Sequence, residues 1–237
     1  MADFKRDTTK SLLTDLSFRV HLGTDAYFGS SELKTTVNDL FGFDNMQDVF
    51  ATTGISCGVG FPSRGKTLIF GVSFNRFFSQ TENLTTATGE RYLSLYGNFY
   101  GPMIESTVLI LGGFELTAGL KFLKSTFNMD IEEVTISDDP LSVFNNSSTL
   151  ELQYRTNMIN PYLNAGYAFT FRGNHSLVVG LNFDYKYILP KSVWKTSPSD
   201  TYNDWVINRT PSSVVDMPFF GDHIAGASLT VAYRVSF

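Results

Sequence analysis

The chain has 237 residues, of which 43% are hydrophobic and 15% aromatic, and its net charge is -5. This length suits a single all-β domain, and the acidic balance argues against nucleic-acid binding, which needs a basic surface. A stretch of about 18 consecutive apolar residues is missing, which excludes a transmembrane helix, and the single cysteine, Cys57, excludes an internal disulfide.

Eight segments alternate apolar residues with small or polar ones, and this period of two is typical of β-strands with two unlike faces. The apolar sets of the first four segments are Leu16 to Leu22, Ile55 to Phe61, Leu68 to Phe74 and Leu93 to Phe99. The apolar sets of the last four are Val108 to Phe122, Leu150 to Phe169, Leu177 to Tyr187 and Ala225 to Phe237. The sequence therefore predicts an all-β protein with long antiparallel strands.

The sixth segment changes the parity of its apolar set between Tyr154 and Leu163. A one-residue bulge near residues 158–160 would explain the change. Alternatively, the segment is two strands joined by a tight turn, which would allow ten strands rather than eight.

The connections between segments favour eight strands. Short turns at residues 62–66, 101–104 and 172–175 alternate with longer links at residues 28–49, 81–89, 128–147 and 190–222. Such strict alternation is typical of up-and-down barrels that cross the outer membrane, with short periplasmic turns and long extracellular loops.

Alternation alone does not tell whether the apolar face looks outward, because a soluble lipocalin-like barrel also alternates. The segments exceed the usual length of roughly 5–6 residues for soluble strands, and the opposite face is rich in Gly and Ser, which suits a narrow lumen. Aromatic residues also cluster near strand ends, as expected for girdles at the two membrane interfaces. At the short-turn rim they are Phe18, Phe61, Phe99, Phe171 and Phe237; toward the loops they are Phe122, Tyr154, Tyr185 and Tyr187. These features predict an apolar outer face.

The last strand carries an aromatic carboxyl terminus, and its outward residues are Leu229, Val231, Tyr233, Val235 and Phe237. This strand resembles the assembly signal of small eight-stranded outer-membrane barrels of Gram-negative bacteria, the OmpA, OmpX and OmpW group. The resemblance implies a multi-pass barrel in the cell outer membrane. It also implies contact with outer-membrane lipid and lipopolysaccharide, and insertion by the barrel-assembly machinery.

The domain prediction follows from where the alternation starts. Residues 1–15 are expected to form a periplasmic N-terminal extension, and residues 16–237 a single barrel domain. The chain starts without the apolar segment of a signal peptide. A cytosolic protein would start in this way, but strands that need lipid favour an exported chain whose signal is not part of this sequence.

Ionisable residues on the inward face form the main candidate site. They are Arg19, His21, Asp25, Glu115, Lys121, Glu151, Arg155, Asp184, Lys186 and Arg234. Buried charges are tolerated when they are paired, and an eight-stranded barrel is just wide enough for side chains to fill it. We therefore predict a salt-bridged network that fills the lumen, with a narrow path for a solute or ion as the alternative.

The longer loops carry three further hypotheses. Loop 28–49 has Leu33, Val37, Leu40 and Phe41 at helical spacing after Ser30 and Ser31, which predicts a short helix over the mouth or at the lipid headgroups. The acidic residues of loop 128–147 are expected to be solvated, with a divalent-cation site as the alternative. The last loop is a candidate surface for a protein partner in the outer membrane, because aromatic residues anchor interfaces; its aromatic residues are Trp194, Tyr202, Trp205, Phe219 and Phe220.

We find no arrangement that predicts a catalytic, cofactor or metal site. Of the three histidines, His175 lies in a short turn, His21 faces the lumen and His223, beside Asp222, is the one candidate base. The sequence predicts a non-enzymatic barrel that serves envelope structure, surface binding or limited small-solute passage. The alternatives are an accessory subunit of a larger outer-membrane transport or assembly complex, and a soluble lipid-binding barrel.

Overall fold

A computed structural model of the chain describes residues 14–28, 31–63, 66–79, 81–86, 89–135, 147–171, 174–189, 193–196, 214–215, 218, 221 and 223–237. Most of the predicted N-terminal extension lies outside the described residues. So do Tyr202, Trp205, Phe219 and Phe220 of the last loop, and residues 136–146 of the acidic loop.

The described chain is almost entirely β-structure. In chain order its elements are β1 (Asp15–Phe28), α1 (Ser31–Phe41), β2 (Val49–Ser63), β3 (Lys66–Phe78), β4 (Glu82–Thr85), β5 (Gly89–Leu111), β6 (Phe114–Thr135), β7 (Ser147–Thr170), β8 (His175–Leu189), β9 (Trp194–Thr196), β10 (Val214–Val215) and β11 (His223–Ser236). In the part of the chain that the structure describes, no helix has the length and apolar character needed to cross a membrane.

Eight of the strands form a closed antiparallel ring in the order β1, β2, β3, β5, β6, β7, β8 and β11, and β11 pairs with β1 to complete it. The prediction of eight strands is therefore confirmed. The short strands lie outside the ring: β4 pairs with β5, β9 with β7, and β10 with β9.

The predicted turn at residues 101–104 is wrong. Strand β5 continues through these residues, and the chain reverses at Gly112 and Gly113, whose φ angles are +58° and +93°. Glycine adopts positive φ at no steric cost, so a Gly-Gly pair suits a two-residue hairpin turn. Val108, predicted in the fifth strand, therefore belongs to β5, at a register shift between Thr107 and Leu109.

The predicted interruption of the sixth segment is also wrong. Strand β7 is continuous, and its register with β6 is unbroken from Phe114 opposite Tyr167 to Val134 opposite Ser147. What changes along β7 is the chemistry of its inward face, because Leu152, Tyr154 and Met158 give way to Asn160 and Asn164. Leu152 and Tyr154 point inward, but the sequence pattern was interpreted as if they pointed outward. This misinterpretation produced the apparent change of parity.

The part of the barrel toward the short turns, which we call the belt half, is apolar outside. One outward residue from each ring strand illustrates the belt, and each is 45–61% exposed: Leu22, Ile55, Val72, Tyr100, Phe122, Leu163, Leu181 and Leu229. Charged side chains lie inside at the same height. The predicted orientation is confirmed, and the soluble lipid-binding barrel is contradicted, because its apolar face would have to line the interior.

Strands β5, β6 and β7 have 23, 22 and 24 residues. At about 3.3 Å per residue they are roughly 70–80 Å long, well beyond the roughly 9–11 residues that a tilted strand needs to cross a bilayer. Their residues 89–99, 123–135 and 147–158 form a second region, which we call the loop half. Here the outward face is mostly polar.

A buried apolar core fills the loop half. It includes Tyr27, Phe50, Phe77, Phe99, Phe127, Met129, Leu152, Tyr154, Met158, Ile188, Trp194 and Ile224. Leu93, Leu95, Phe99 and Tyr154 were predicted on the lipid-facing surface, but they are at most 6% exposed and belong to this core. The predicted helix is confirmed as α1, which adds Leu33 and Val37 to the core and leaves Leu40 57% exposed.

Candidate functional site in the barrel lumen

A buried ion pair crosses the lumen in the belt half. The guanidinium of Arg19 on β1 donates two hydrogen bonds of 2.9 Å to the carboxylate of Glu105 on β5. The hydroxyl of Tyr162 on β7 donates a third hydrogen bond to Glu105, at 2.5 Å. The side chains of Arg19 and Glu105 are 8% and 0% exposed. A bidentate pair of this kind fixes both groups and closes the space between three strands.

A second group lies nearer the loops. The ammonium of Lys186 donates hydrogen bonds of 2.6 Å to Asp25 and of 2.6 Å to Asp184. Gly226 makes room for these carboxylates, because a Cβ there would lie 2.4 Å from Oδ1 of Asp25 and 2.7 Å from Oδ1 of Asp184. The glycine on β11 is therefore a steric requirement of the site.

Two further contacts extend the network. Toward the short turns, Arg234 on β11 binds Glu115 on β6 at 3.0 Å. In the middle of the lumen, the ammonium of Lys121 lies 4.8 Å from the centre of the Tyr162 ring, within the range of a cation–π interaction. The network thus joins residues from six of the eight ring strands.

The described lumen holds charges of both signs in nearly equal number. Its four cations are Arg19, Lys121, Lys186 and Arg234, and the acids around them are Asp25, Glu105, Glu115 and Asp184. A fifth acid, Asp15, is 9% exposed at the short-turn end. His21, Asn75, Asn160 and Ser228 line a small polar cavity beside them, with room for about one water molecule. A space of this size does not offer a path for a solute.

The structure brings together eight of the ten predicted lumen residues, and it corrects the other two. Glu151 and Arg155 lie on the outward face of β7 in the loop half, where Arg155 is exposed and donates a 2.7 Å hydrogen bond to Gln153. This face looks away from the core, so polar residues are favourable there. Glu105 was missed because the predicted turn at residues 101–104 placed it outside any strand.

The apolar core closes the barrel above the charges. The rings of Phe77 and Phe99 stack with their centres 5.4 Å apart, and Phe127 lies 5.3 Å from Phe77 and 5.4 Å from Phe99. Gly97 is needed for this packing, because a Cβ there would lie 2.2 Å from the ring of Phe77. The described lumen is therefore closed by charged groups in its middle and by aromatic rings above them. At the short-turn end a cavity of about 430 Å³, lined by residues that include Ile69, Thr107 and Arg234, remains below this closure.

Trp194 was predicted on a partner-binding surface, and this prediction is wrong. The residue is fully buried, its indole nitrogen donates to the carbonyl of Pro218 at 3.0 Å, and its ring lies 5.5 Å from that of Tyr154. Trp194 thus belongs to the apolar core.

The residues of the predicted assembly signal lie on the outward face of β11. Leu229, Val231, Tyr233 and Phe237 are 40–63% exposed, and Val235 is half-buried. These residues face the surroundings of the barrel while the backbone of β11 pairs with β1 and β8.

The histidines do not gather into one site. His175 at the short-turn end lies 2.6 Å from the hydroxyl of Tyr233, and His223 lies against Tyr185 and Tyr187, with ring centres 5.5 Å and 5.4 Å away. The contacts of His223 are thus on the outward face of β8 and β11. Among the residues described, no group of three or more His, Cys, Asp or Glu is placed to hold a metal ion.

No family model and no curated protein matches the sequence. Solved structures that it is similar to include Neisserial surface protein A, at 12% identity and a TM-score of 0.43, with 96% of this chain and 98% of that chain covered. The outer membrane protease OmpT from Escherichia coli has 11% identity and a TM-score of 0.42, covering 95% and 97%. Ail of Yersinia pestis, solved with a heparin analogue, has 11% identity and a TM-score of 0.35, covering 93% and 98%.

The architecture itself shows the type of barrel. In hydrocarbon every backbone group must be paired within the protein, and a closed ring meets this requirement because it has no free edge. A closed antiparallel ring with an apolar outer belt and a polar interior is the fold of outer-membrane β-barrels. The chain has that fold.

Proposed function

We propose that the chain is an integral, non-enzymatic barrel of the Gram-negative outer membrane that serves envelope structure and surface binding and does not conduct. In this proposal the short turns face the periplasm and the long loops face outward. Lipid and lipopolysaccharide surround the belt, and the barrel-assembly machinery reads strand β11. The observation that carries the proposal is the closure of the lumen, by ion pairs in its middle and by an aromatic core above them.

The lumen network is costly to open. Removing one partner of a buried ion pair typically costs about 3–5 kcal/mol, because the other charge stays buried and unpaired. Arg19 and Glu105 are held by three hydrogen bonds that include Tyr162, and Lys186 binds two carboxylates at once. These contacts support a permanent closure rather than a path for small solutes.

The loop half supports a role in surface binding. Its strands rise beyond the belt around a dry core, and α1 packs on that core through Leu33 and Val37. Binding residues are commonly carried by loops that a rigid scaffold positions. The loop half provides such a scaffold for the long connections between β3 and β5, between β6 and β7, and between β8 and β11. These connections are where a protein partner would bind.

Single-channel recording in planar bilayers tests the proposal. We expect the wild-type protein to be silent. The double variant Arg19→Ala/Glu105→Ala should also be silent, because it removes both charges together and leaves the aromatic core above them. Insertion of each protein is checked in parallel by protease protection in liposomes, and a general porin serves as the conducting control. Regular unit conductance of the inserted wild-type protein would contradict the proposed closure.

A further inference from the structure

We propose that the barrel holds one outer-leaflet lipid on its lipid-facing wall, with an acyl chain in an apolar groove on β1, β2, β3 and β5 and a phosphorylated headgroup on the adjoining cations of β3, β6 and β7. The inference rests on the proposed membrane location and names the lipid that this wall selects.

The groove lies in the middle of the belt. It has a volume of about 350 Å³, a size typical of binding clefts, and its lining is almost wholly apolar. Its main lining side chains are Phe18, Ile55, Cys57, Val72, Phe74 and Tyr100. The register explains its shape, because the smaller Cys57 and Val72 are opposite each other, while Ile55, Phe74 and Tyr100 form the next row toward the loops.

Cations lie level with this row and one step above it. Arg76 follows Phe74 on the same face of β3, about 7 Å further toward the loops. Lys124 on β6 is the register partner of Tyr100. Arg155 on β7 is a diagonal neighbour of Lys124, since Lys124 pairs with Asn157, and diagonal neighbours are about 7–8 Å apart. All three side chains are exposed.

These cations have no acidic partner in the described part of the chain. None of the three takes part in the ion pairs found there, and Arg155 binds the neutral side chain of Gln153. Outward acids such as Asp130 and Glu151 lie farther along β6 and β7, away from the belt. Like charges on neighbouring strands repel one another, so an anion at this height would be stabilised.

The position of the apolar groove beside the cations determines which class of ligand fits. An apolar groove next to a row of cations fits an amphiphile whose hydrocarbon chain meets its anionic group at the same level. Arginine and lysine bind phosphate through charge-assisted hydrogen bonds. A neutral lipid would use only the groove, and inorganic phosphate would use only the cations.

Native mass spectrometry of the full chain in detergent tests the inference. The probes are lipid A with two phosphates, the same lipid with its phosphates removed, and inorganic phosphate. We expect the wild-type protein to retain one phosphorylated lipid A. Retention should fall about tenfold or more in Arg76→Ala/Lys124→Ala, which loses charge-assisted hydrogen bonds, and similarly in Val72→Trp, which fills the groove.

Two matched variants separate these effects from general damage. Lys34→Ala removes a partly exposed cation on α1, outside the row, and Val179→Trp adds an indole to the lipid-facing side of β8, so both should retain the lipid like the wild type. Equal retention of the lipid without phosphates, displacement of the lipid by inorganic phosphate, full retention in Val72→Trp, or a dimer mass in place of a lipid adduct would each overturn the inference. Protease protection in liposomes reports insertion separately, so a chain that inserts but holds no lipid contradicts this inference alone.

Discussion

The belt half and the loop half are built from the same strands with inside and outside exchanged. On β6, Lys121 points into the lumen and Phe122 points outward; a few residues later Phe127 points inward and Asn128 outward. The side-chain period and the register do not change between the two pairs. The comparison shows that alternation defines two faces of a strand, whereas the surroundings decide which face is apolar.

The surroundings explain the exchange. Hydrocarbon outside the belt half makes an apolar outer face favourable and leaves the interior to paired charges. Water outside the loop half makes a polar outer face favourable, so apolar side chains gain by burial inside. The halves therefore differ in what stabilises them, and substitutions at matched positions should separate the two contributions.

The largest effect is expected for Phe127→Ala in the loop half. Phe127 is fully buried and contacts the rings of Phe77, Phe99 and Tyr154. Removing a core phenyl ring typically lowers the free energy of unfolding by about 3–5 kcal/mol, and urea titration in lipid vesicles would measure it. Thr126→Ala, at the preceding outward position, should change it by less than about 0.5 kcal/mol. Equal losses at both positions would show that the loop half has no dry core.

A charge on the lipid-facing wall should have the next largest effect. Leu181 is 52% exposed in the middle of the belt, so Leu181→Arg should destabilise the barrel by about 2–4 kcal/mol and slow its assembly. The matched variant Asn128→Arg, on the outward face of the loop half, should cost less than about 1 kcal/mol, because water solvates the new charge. Folding yields into vesicles give the comparison. A similar penalty at both positions would place the boundary of the belt higher than residue 128.

Sequence reasoning succeeded where the alternating segment of a strand lies in the belt half. On β1, β8 and β11 the apolar set points outward throughout the membrane span. The residues that alternate with it therefore point inward, and Arg19, Asp25 and Lys186 were correctly predicted to lie in the lumen. It also predicted a short helix in loop 28–49 from its apolar spacing, and α1 lies there.

It failed where one strand crosses from lipid into water. Leu93, Leu95 and Phe99 look like belt residues in the sequence, but they are inward because this part of β5 lies in the loop half. The same exchange explains why Glu151 and Arg155 were placed in the lumen. Glu105 was hidden by the wrong turn, although the Gly112–Gly113 pair is a known hairpin signal that would have corrected it.

The smallest effect tests whether the lumen depends on its ion pairs or on every polar group. Ser73 is 3% exposed, and its hydroxyl accepts a 3.2 Å hydrogen bond from the side-chain amide of Asn75. Ser73→Ala should lower the free energy of unfolding by no more than about 1 kcal/mol, since one hydrogen bond between neutral groups contributes about that much. Urea titration compares this variant with Glu105→Ala. In Glu105→Ala the guanidinium of Arg19 would stay buried without its acid, so the free energy of unfolding should fall by about 3–5 kcal/mol. If both variants lose the same amount, packing rather than charge pairing stabilises the interior of the belt half.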